Sequence, residues 1–218
     1  IVPRISTFAN TQNKIQVADF SANDPFHRRI EELSRTIWAP AQGGMKPQNW
    51  FYERARGQYA DMLTRESTPK RKKEYKETHP LFTKTDLAKY ENTWDQLPYQ
   101  VSEGAQKNFH KFMLRLKERK GFVPDEAYYR NLIAKAILFR RTEKLVQQQQ
   151  YGGYRANIVT YTLAFLSHKT AQRIDLERIW KEQGLTPALE AEIVAISIFV
   201  QKLIVNPPGG ANVSEWCK

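Results

Sequence analysis

The sequence is poor in cysteine and in long apolar runs. Cys217 is the single cysteine among 218 residues, so no internal disulfide can form and we expect a reducing, cytoplasmic compartment. No histidine lies near this thiol in sequence, and we do not interpret it as a nucleophile. The longest apolar run, residues 193–200 (IVAISIFV), is much shorter than the roughly 20 residues that a membrane span requires. We therefore expect no membrane partner.

Motifs for metal and phosphate chemistry are also missing. The four histidines do not form an HxxxH or HExxH pattern: His27, His79, His110 and His168. The glycine pairs lack the frames of phosphate-binding loops and are typical of turns: 43–44, 152–153 and 209–210. No serine nucleophile elbow is present. We expect no metal, no cofactor and no catalytic constellation, so this chain by itself is not predicted to be an enzyme.

Two acids remain to be weighed as catalytic groups. Glu74 and Lys76 match the acid-x-Lys spacing of restriction-type nucleases, but they lie in a charge run without apolar flanks, so no strand would present them. Glu143 is predicted to share a helix face with Leu132, Phe139 and Val146. A carboxylate on an apolar face is usually paired and structural, although perturbed acids also occur at functional sites. Both interpretations of Glu143 stay open.

Positive charge is the most prominent feature that the sequence does have. Lys and Arg number 34 against 23 Asp and Glu, which gives a formal net charge of +11. Such a surplus favours anionic partners, nucleic acid among them, but it is also typical of an ordinary solvated surface.

Three basic segments are the candidate nucleic-acid contacts. In residues 50–59, the aromatic side chains are predicted to stack on bases while the arginines bind phosphates. In residues 107–115, a basic side chain recurs every four residues along a predicted helix, and we call this row the basic ladder. The candidates are Arg54, Arg56, Lys70, Arg71, Lys72, Lys73, Lys107, Lys111 and Arg115. The alternative is that the aromatics pack in a core and the lysines face water.

Apolar periodicity predicts a mainly α fold, with about seven or eight helices and at most one short strand pair. Asp24 and Pro25 predict one helix start, Thr83 with Asp86 resembles a capping box, and Ser102 is predicted to cap a further helix. Thr186 and Pro187 predict the start of the last long helix. Residues 50–56 fit a short strand, with a helix from about Gln58 equally open, and residues 158–166 fit either a buried helix or a strand.

The chain divides into three segments. Residues 1–64 hold an irregular start (1–22), one capped helix and the aromatic stretch; residues 65–80 are predicted to be a charged, flexible connection; residues 81–218 form a helical body. We expect residues 1–64 and the helical body, residues 81–218, to pack together as one compact domain. Because the chain begins at Ile1 and stops just after a helix start, we expect it to be part of a longer protein.

Several stretches resemble the AIPR family, named for abortive-infection phage resistance: PFHRRIEELSRTIWAPA, WFYERARGQY, FTKTDLAKYENTW, AILFRRTEKL, GGYRANIVTYTLAFLSH and PPGGANVSEWCK. The resemblance implies a bacterial defence protein longer than this chain, with a restriction-endonuclease-like domain in its N-terminal portion. It implies that this chain belongs to the C-terminal half. No catalytic residues are carried over.

Three functions follow as hypotheses. The first is a helical module of a phage-defence protein that contacts nucleic acid through its basic surfaces. The second is a scaffold that packs on an N-terminal nuclease-like domain or forms a homo-oligomer, which predicts an exposed apolar patch. The third is a nuclease in its own right.

Overall fold

The computed structural model of the chain describes residues 21, 23–41, 43–44, 46–170 and 174–217. The irregular segment expected at residues 1–22 falls almost wholly outside these residues. The described part is mainly helical, as predicted, but it holds eleven α-helices rather than seven or eight. The additional helices are short, and short helices leave little periodic signal in a sequence.

The elements in chain order are α1 (Pro25–Thr36), β1 (Phe51–Glu53), α2 (Gln58–Thr64), α3 (Pro69–Thr78), β2 (Leu81–Thr83), α4 (Lys84–Trp94), α5 (Pro98–Ser102), α6 (Ala105–Glu118), α7 (Glu126–Gln148), α8 (Arg155–Thr170), α9 (Leu176–Glu182), α10 (Pro187–Val205) and α11 (Val213–Trp216).

Helix α7 is the centre of the fold. Eleven of its side chains are buried, and α1, α4, α8, α9 and α10 all pack against it. Burial on nearly every side explains why the helix is long and continuous, because each turn contributes apolar area to the core.

Local capping chemistry sets most helix starts. The Asp24 carboxylate accepts from the Phe26 amide at 2.9 Å with Pro25 in the first turn, and both halves of the Thr83–Asp86 capping box are present. The start predicted at Ser102 is wrong. Ser102 ends α5, where its hydroxyl donates to the Pro98 carbonyl, and α6 begins after Gly104, whose φ of +103° suits glycine.

The two strands pair in parallel, with Phe51 opposite Leu81 and Tyr52 opposite Phe82. A parallel pair needs a long crossover, and α2 and α3 form it. Both interpretations of the 50–60 region are therefore correct: a strand ends at Glu53 and a helix begins at Gln58. Residues 65–80, predicted as a flexible connection, contain α3 instead, because Thr68 and Pro69 cap its start.

Glu143, predicted to share an apolar face of α7, does line a cavity together with Phe139, but it is not buried. Its side chain is 47% exposed and sits 3.4 Å from the Lys89 ammonium, whereas the preceding residue, Thr142, is fully buried. The buried acid next to α7 is Glu91 of α4, which pairs with Lys135 at 2.9 Å. Residues 158–166, left open between helix and strand, belong to helix α8.

Candidate nucleic-acid interface

The aromatic side chains of residues 50–59 are in the core. Trp50, Phe51, Tyr52 and Tyr59 are all buried. Their polar atoms are satisfied internally: the Trp50 indole donates to Gln183 at 2.9 Å, and the Tyr59 hydroxyl donates to the His79 carbonyl at 2.8 Å. These rings cannot stack on bases while the fold is intact, so the aromatic part of the sequence prediction is wrong.

Arg54 has a structural partner. Its Nε lies 2.5 Å from a Glu31 carboxylate oxygen, and the other oxygen of that carboxylate accepts from Gln58 at 2.9 Å. The Gln58 amide oxygen in turn accepts from the Arg54 and Ala55 amides. This network fixes the turn from β1 into α2. Arg56, two residues on, is exposed.

Two of the three basic side chains of the α6 ladder, Lys111 and Arg115, are paired with groups of the protein itself. Lys111 pairs with Glu103 at 2.6 Å, and Arg115 hydrogen-bonds Asn92 and lies 3.3 Å from Asp95. Lys107 alone of the three is exposed without an ion pair among the described residues. Two further exposed lysines, Lys117 and Lys120, lie at and just beyond the end of α6, and the four-residue spacing of the ladder did not identify them.

Helix α3 carries the densest exposed charge in the described chain. Lys70, Arg71, Lys72 and Lys73 follow one another in its first half, all exposed, and Lys76 follows one turn later. The helix buries no side chain and has no acid in its first turn. Of its two acids, Glu74 pairs with Lys46 outside the helix, and Glu77 lies 3.9 Å from Lys73 with both side chains largely exposed.

A cleft of about 380 Å³ opens beside α3. Its lining includes Arg35, Asn49, Arg65, Tyr75 and His79. The Arg35 guanidinium lies 3.7 Å from the centre of the Phe51 ring and 3.6 Å from Glu31. The Tyr75 and His79 rings stack at 4.1 Å, and burial lowers the pKa of His79, so the imidazole is uncharged at neutral pH. We call Arg35, Arg65 and the five cations of α3 the basic surface.

The sequence indicated part of this basic surface. It identified Lys70–Lys73 from the charge run, but it missed Arg35 and Arg65, which lie far apart in sequence and meet only because α1 and α2 both border β1. No local pattern in the sequence marks that convergence.

The described residues offer neither a metal-binding cluster nor a membrane-spanning helix. No three or more His, Cys, Asp or Glu side chains come close enough together to hold a metal ion within the described ranges. In the same part of the chain, no helix has the length and apolar character that a membrane crossing needs.

Comparison with known proteins identifies a family. No curated protein and no solved structure matches the chain. The sequence model of the family described as AIPR protein matches residues 1–208, which is nearly the whole chain. The chain therefore belongs to the AIPR family.

Proposed function

We propose that this protein acts in phage defence as a helical module that holds nucleic acid by its phosphate backbone on the basic surface. AIPR family membership fits a phage-defence role. The observation that carries the nucleic-acid proposal is α3 itself: a ten-residue helix that buries no side chain and bears five cations.

The position of these charges on α3 supports an anionic partner. Backbone N–H groups at a helix N-terminus carry partial positive charge, so cations in the first turns raise the free energy of the isolated helix. Lys70, Arg71 and Lys72 occupy those turns, and α3 fully buries no side chain in return. A phosphate group near this end relieves the repulsion and accepts hydrogen bonds from the side chains.

The cleft extends the same surface. Arg35 and Arg65 line it, and a guanidinium can donate two parallel hydrogen bonds to one phosphate. Its one lining acid, Asp61, lies on α2 four residues before Arg65. A backbone running along α3 and past the cleft mouth meets cations from three elements: α1, the end of α2, and α3.

Recognition of this kind does not read base sequence. Phosphate contacts fix position and contribute affinity, while base contacts specify, and the aromatic residues that were expected to contact bases are in the core. We therefore expect binding to duplex and single-stranded nucleic acid with little sequence preference and with a strong dependence on salt.

The test compares two variants with equal charge loss. One replaces Lys70, Arg71, Lys72 and Lys73 by Gln. The other replaces four exposed cations of the α7–α9 region by Gln: Lys144, Arg155, Arg178 and Lys181. Binding of each full chain to a short labelled duplex is measured by fluorescence anisotropy at low salt.

The proposal predicts that the α3 variant binds at least about tenfold more weakly than the wild type, while the control changes about twofold or less. Equal weakening in the two variants would mean that net charge alone drives binding, and would refute a localised site. An absence of wild-type binding would refute the nucleic-acid proposal altogether.

A further inference from the structure

Helix α10 presents an exposed apolar face. Its buried side, which packs against α7 and α8, contains Ile193, Ser197, Val200 and Ile204. Exposed residues follow at helical spacing along the other side: Ala188, Ala191, Glu192, Ala195, Ile198, Phe199, Lys202 and Leu203. Phe199 is 49% and Leu203 51% exposed, which is unusual for large apolar side chains on one stripe.

The two halves of this face differ in size and in charge. The first half is lined by small side chains, Ala188, Ala191 and Ala195, together with one acid, Glu192. The second half carries large apolar side chains and one base, Lys202. Neither Glu192 nor Lys202 has an ion pair within the described residues.

The face is complementary to itself in one antiparallel register. Ala195 and Phe199 are each two residues from Ser197, on opposite sides of it, and Ala191 and Leu203 are each six residues away. Glu192 and Lys202 are each five residues away. We propose that α10 is a dimer interface with a second copy of this chain, in which two α10 helices cross antiparallel about a two-fold axis level with Ser197.

In this arrangement Phe199 and Leu203 each meet an alanine, and each acid meets a base. Phe199 packs over the partner's Ala195 and Leu203 over the partner's Ala191, so the large half of each helix fills the space left by the small half of the other. Glu192 and Lys202 form two symmetric ion pairs. A two-fold interface requires this reciprocity, in which residue i contacts residue j and j contacts i.

The same reciprocity separates this partner from others. An unrelated protein or another domain imposes no relation between positions equally distant from Ser197, whereas a second copy requires one. Phe165 of α8 and Trp216 of α11 border the large half of the face, and the Phe165 and Phe199 rings lie 5.8 Å apart. These rings widen the apolar area beyond one helix, which a stable dimer needs.

The first part of the test is the oligomeric state of the chain, measured by sedimentation equilibrium. We expect a dimer that Phe199→Glu converts to a monomer. Leu114→Glu is the matched control, because Leu114 is also 49% exposed but lies on α6, and it leaves the dimer intact. A monomeric wild type at high micromolar concentration, or equal effects of the two substitutions, would overturn the proposal.

The second part tests the register by charge reversal at exposed positions, where folding is not at risk. Glu192→Lys and Lys202→Glu each place like charges opposite one another twice, and each weakens the dimer by about tenfold or more. Mixing the two variants restores opposite charges at both pairs, so heterodimers form, and the double variant dimerises like the wild type. If Phe199→Glu disrupts the dimer but neither combination restores it, the antiparallel register is wrong. Capture of a different domain by a chain that never self-associates would identify another occupant and equally overturn the proposal.

Discussion

The Tyr52 hydroxyl donates a hydrogen bond to Nδ1 of His27, at 2.6 Å, inside the core. Nε2 of the same ring lies 3.2 Å from the Met113 sulfur. A thioether has lone pairs but no proton to donate, so Nε2 carries the hydrogen and Nδ1 accepts from Tyr52. Three elements, α1, β1 and α6, are thereby joined through one neutral imidazole.

Loss of the tyrosine hydroxyl should be costly. Tyr52→Phe leaves the buried Nδ1 of His27 without a donor, and an unsatisfied buried acceptor costs about 1–3 kcal/mol of unfolding free energy. Urea denaturation measures the difference. Tyr99→Phe removes a hydroxyl from an exposed ring and should change stability by less than about 0.5 kcal/mol. Equal effects of the two substitutions would contradict the buried hydrogen bond.

Stability should fall in mild acid because His27 is held uncharged. Burial lowers its pKa from the ordinary 6.5 to about 3, so between these values the unfolded chain binds a proton that the folded protein does not. This contribution is fully present above pH 6.5 and is lost as the pH falls toward 3. Between about pH 7 and pH 5 the loss amounts to about 2 kcal/mol.

The control for this pH dependence is His27→Gln, whose side-chain oxygen can still accept from Tyr52. We expect the variant to lose about 2 kcal/mol less than the wild type over the same range. Burial also lowers the pKa of His79, which contributes in the same direction in both proteins and cancels in the comparison. Parallel pH profiles for the two proteins would show that His27 is not buried neutral.

Two acids should respond differently to truncation. Glu91 is buried and pairs with Lys135, whose side chain is only 12% exposed, so Glu91→Ala leaves an uncompensated buried ammonium and costs about 3–5 kcal/mol. Glu143 and Lys89 form an exposed pair, and Glu143→Ala should cost less than about 1 kcal/mol. Thermal unfolding of both variants checks the order, and a larger effect at Glu143 would contradict the placement of these acids.

These two acids also show where prediction from sequence stops. The apolar spacing in residues 125–150 correctly indicated a long helix, but spacing alone does not say how deeply each position of an apolar stripe is covered by other elements. Glu143 shares a face with Phe139, yet its side chain is half exposed while that of Phe139 is buried. The partner of Lys135 comes from another helix, and spacing within one segment carries no information about it.

Helix starts were predictable because their causes are local. Asp24 with Pro25, Thr83 with Asp86, and Thr186 with Pro187 act within one helical turn, and each starts a helix as predicted. Residues 65–80 were not recognised as helical because α3 has no apolar stripe, and its capping residues, Thr68 and Pro69, lie within the charge run. The aromatic side chains near Trp50 were ambiguous for a different reason: burial depends on the parallel pairing with β2, nearly thirty residues later.

The salt dependence of nucleic-acid binding tests the central claim most directly. The logarithm of the observed association constant should fall linearly with the logarithm of salt concentration, with a slope of about −0.9 for each phosphate that a cation of the protein neutralises on a duplex. Replacing Lys70, Arg71, Lys72 and Lys73 by Gln should make that slope shallower by about two to four units, because each phosphate that no longer meets a cation keeps its counterion. The four-cation control should keep the wild-type slope. A slope unchanged in the α3 variant, or made shallower equally in both variants, would contradict the account.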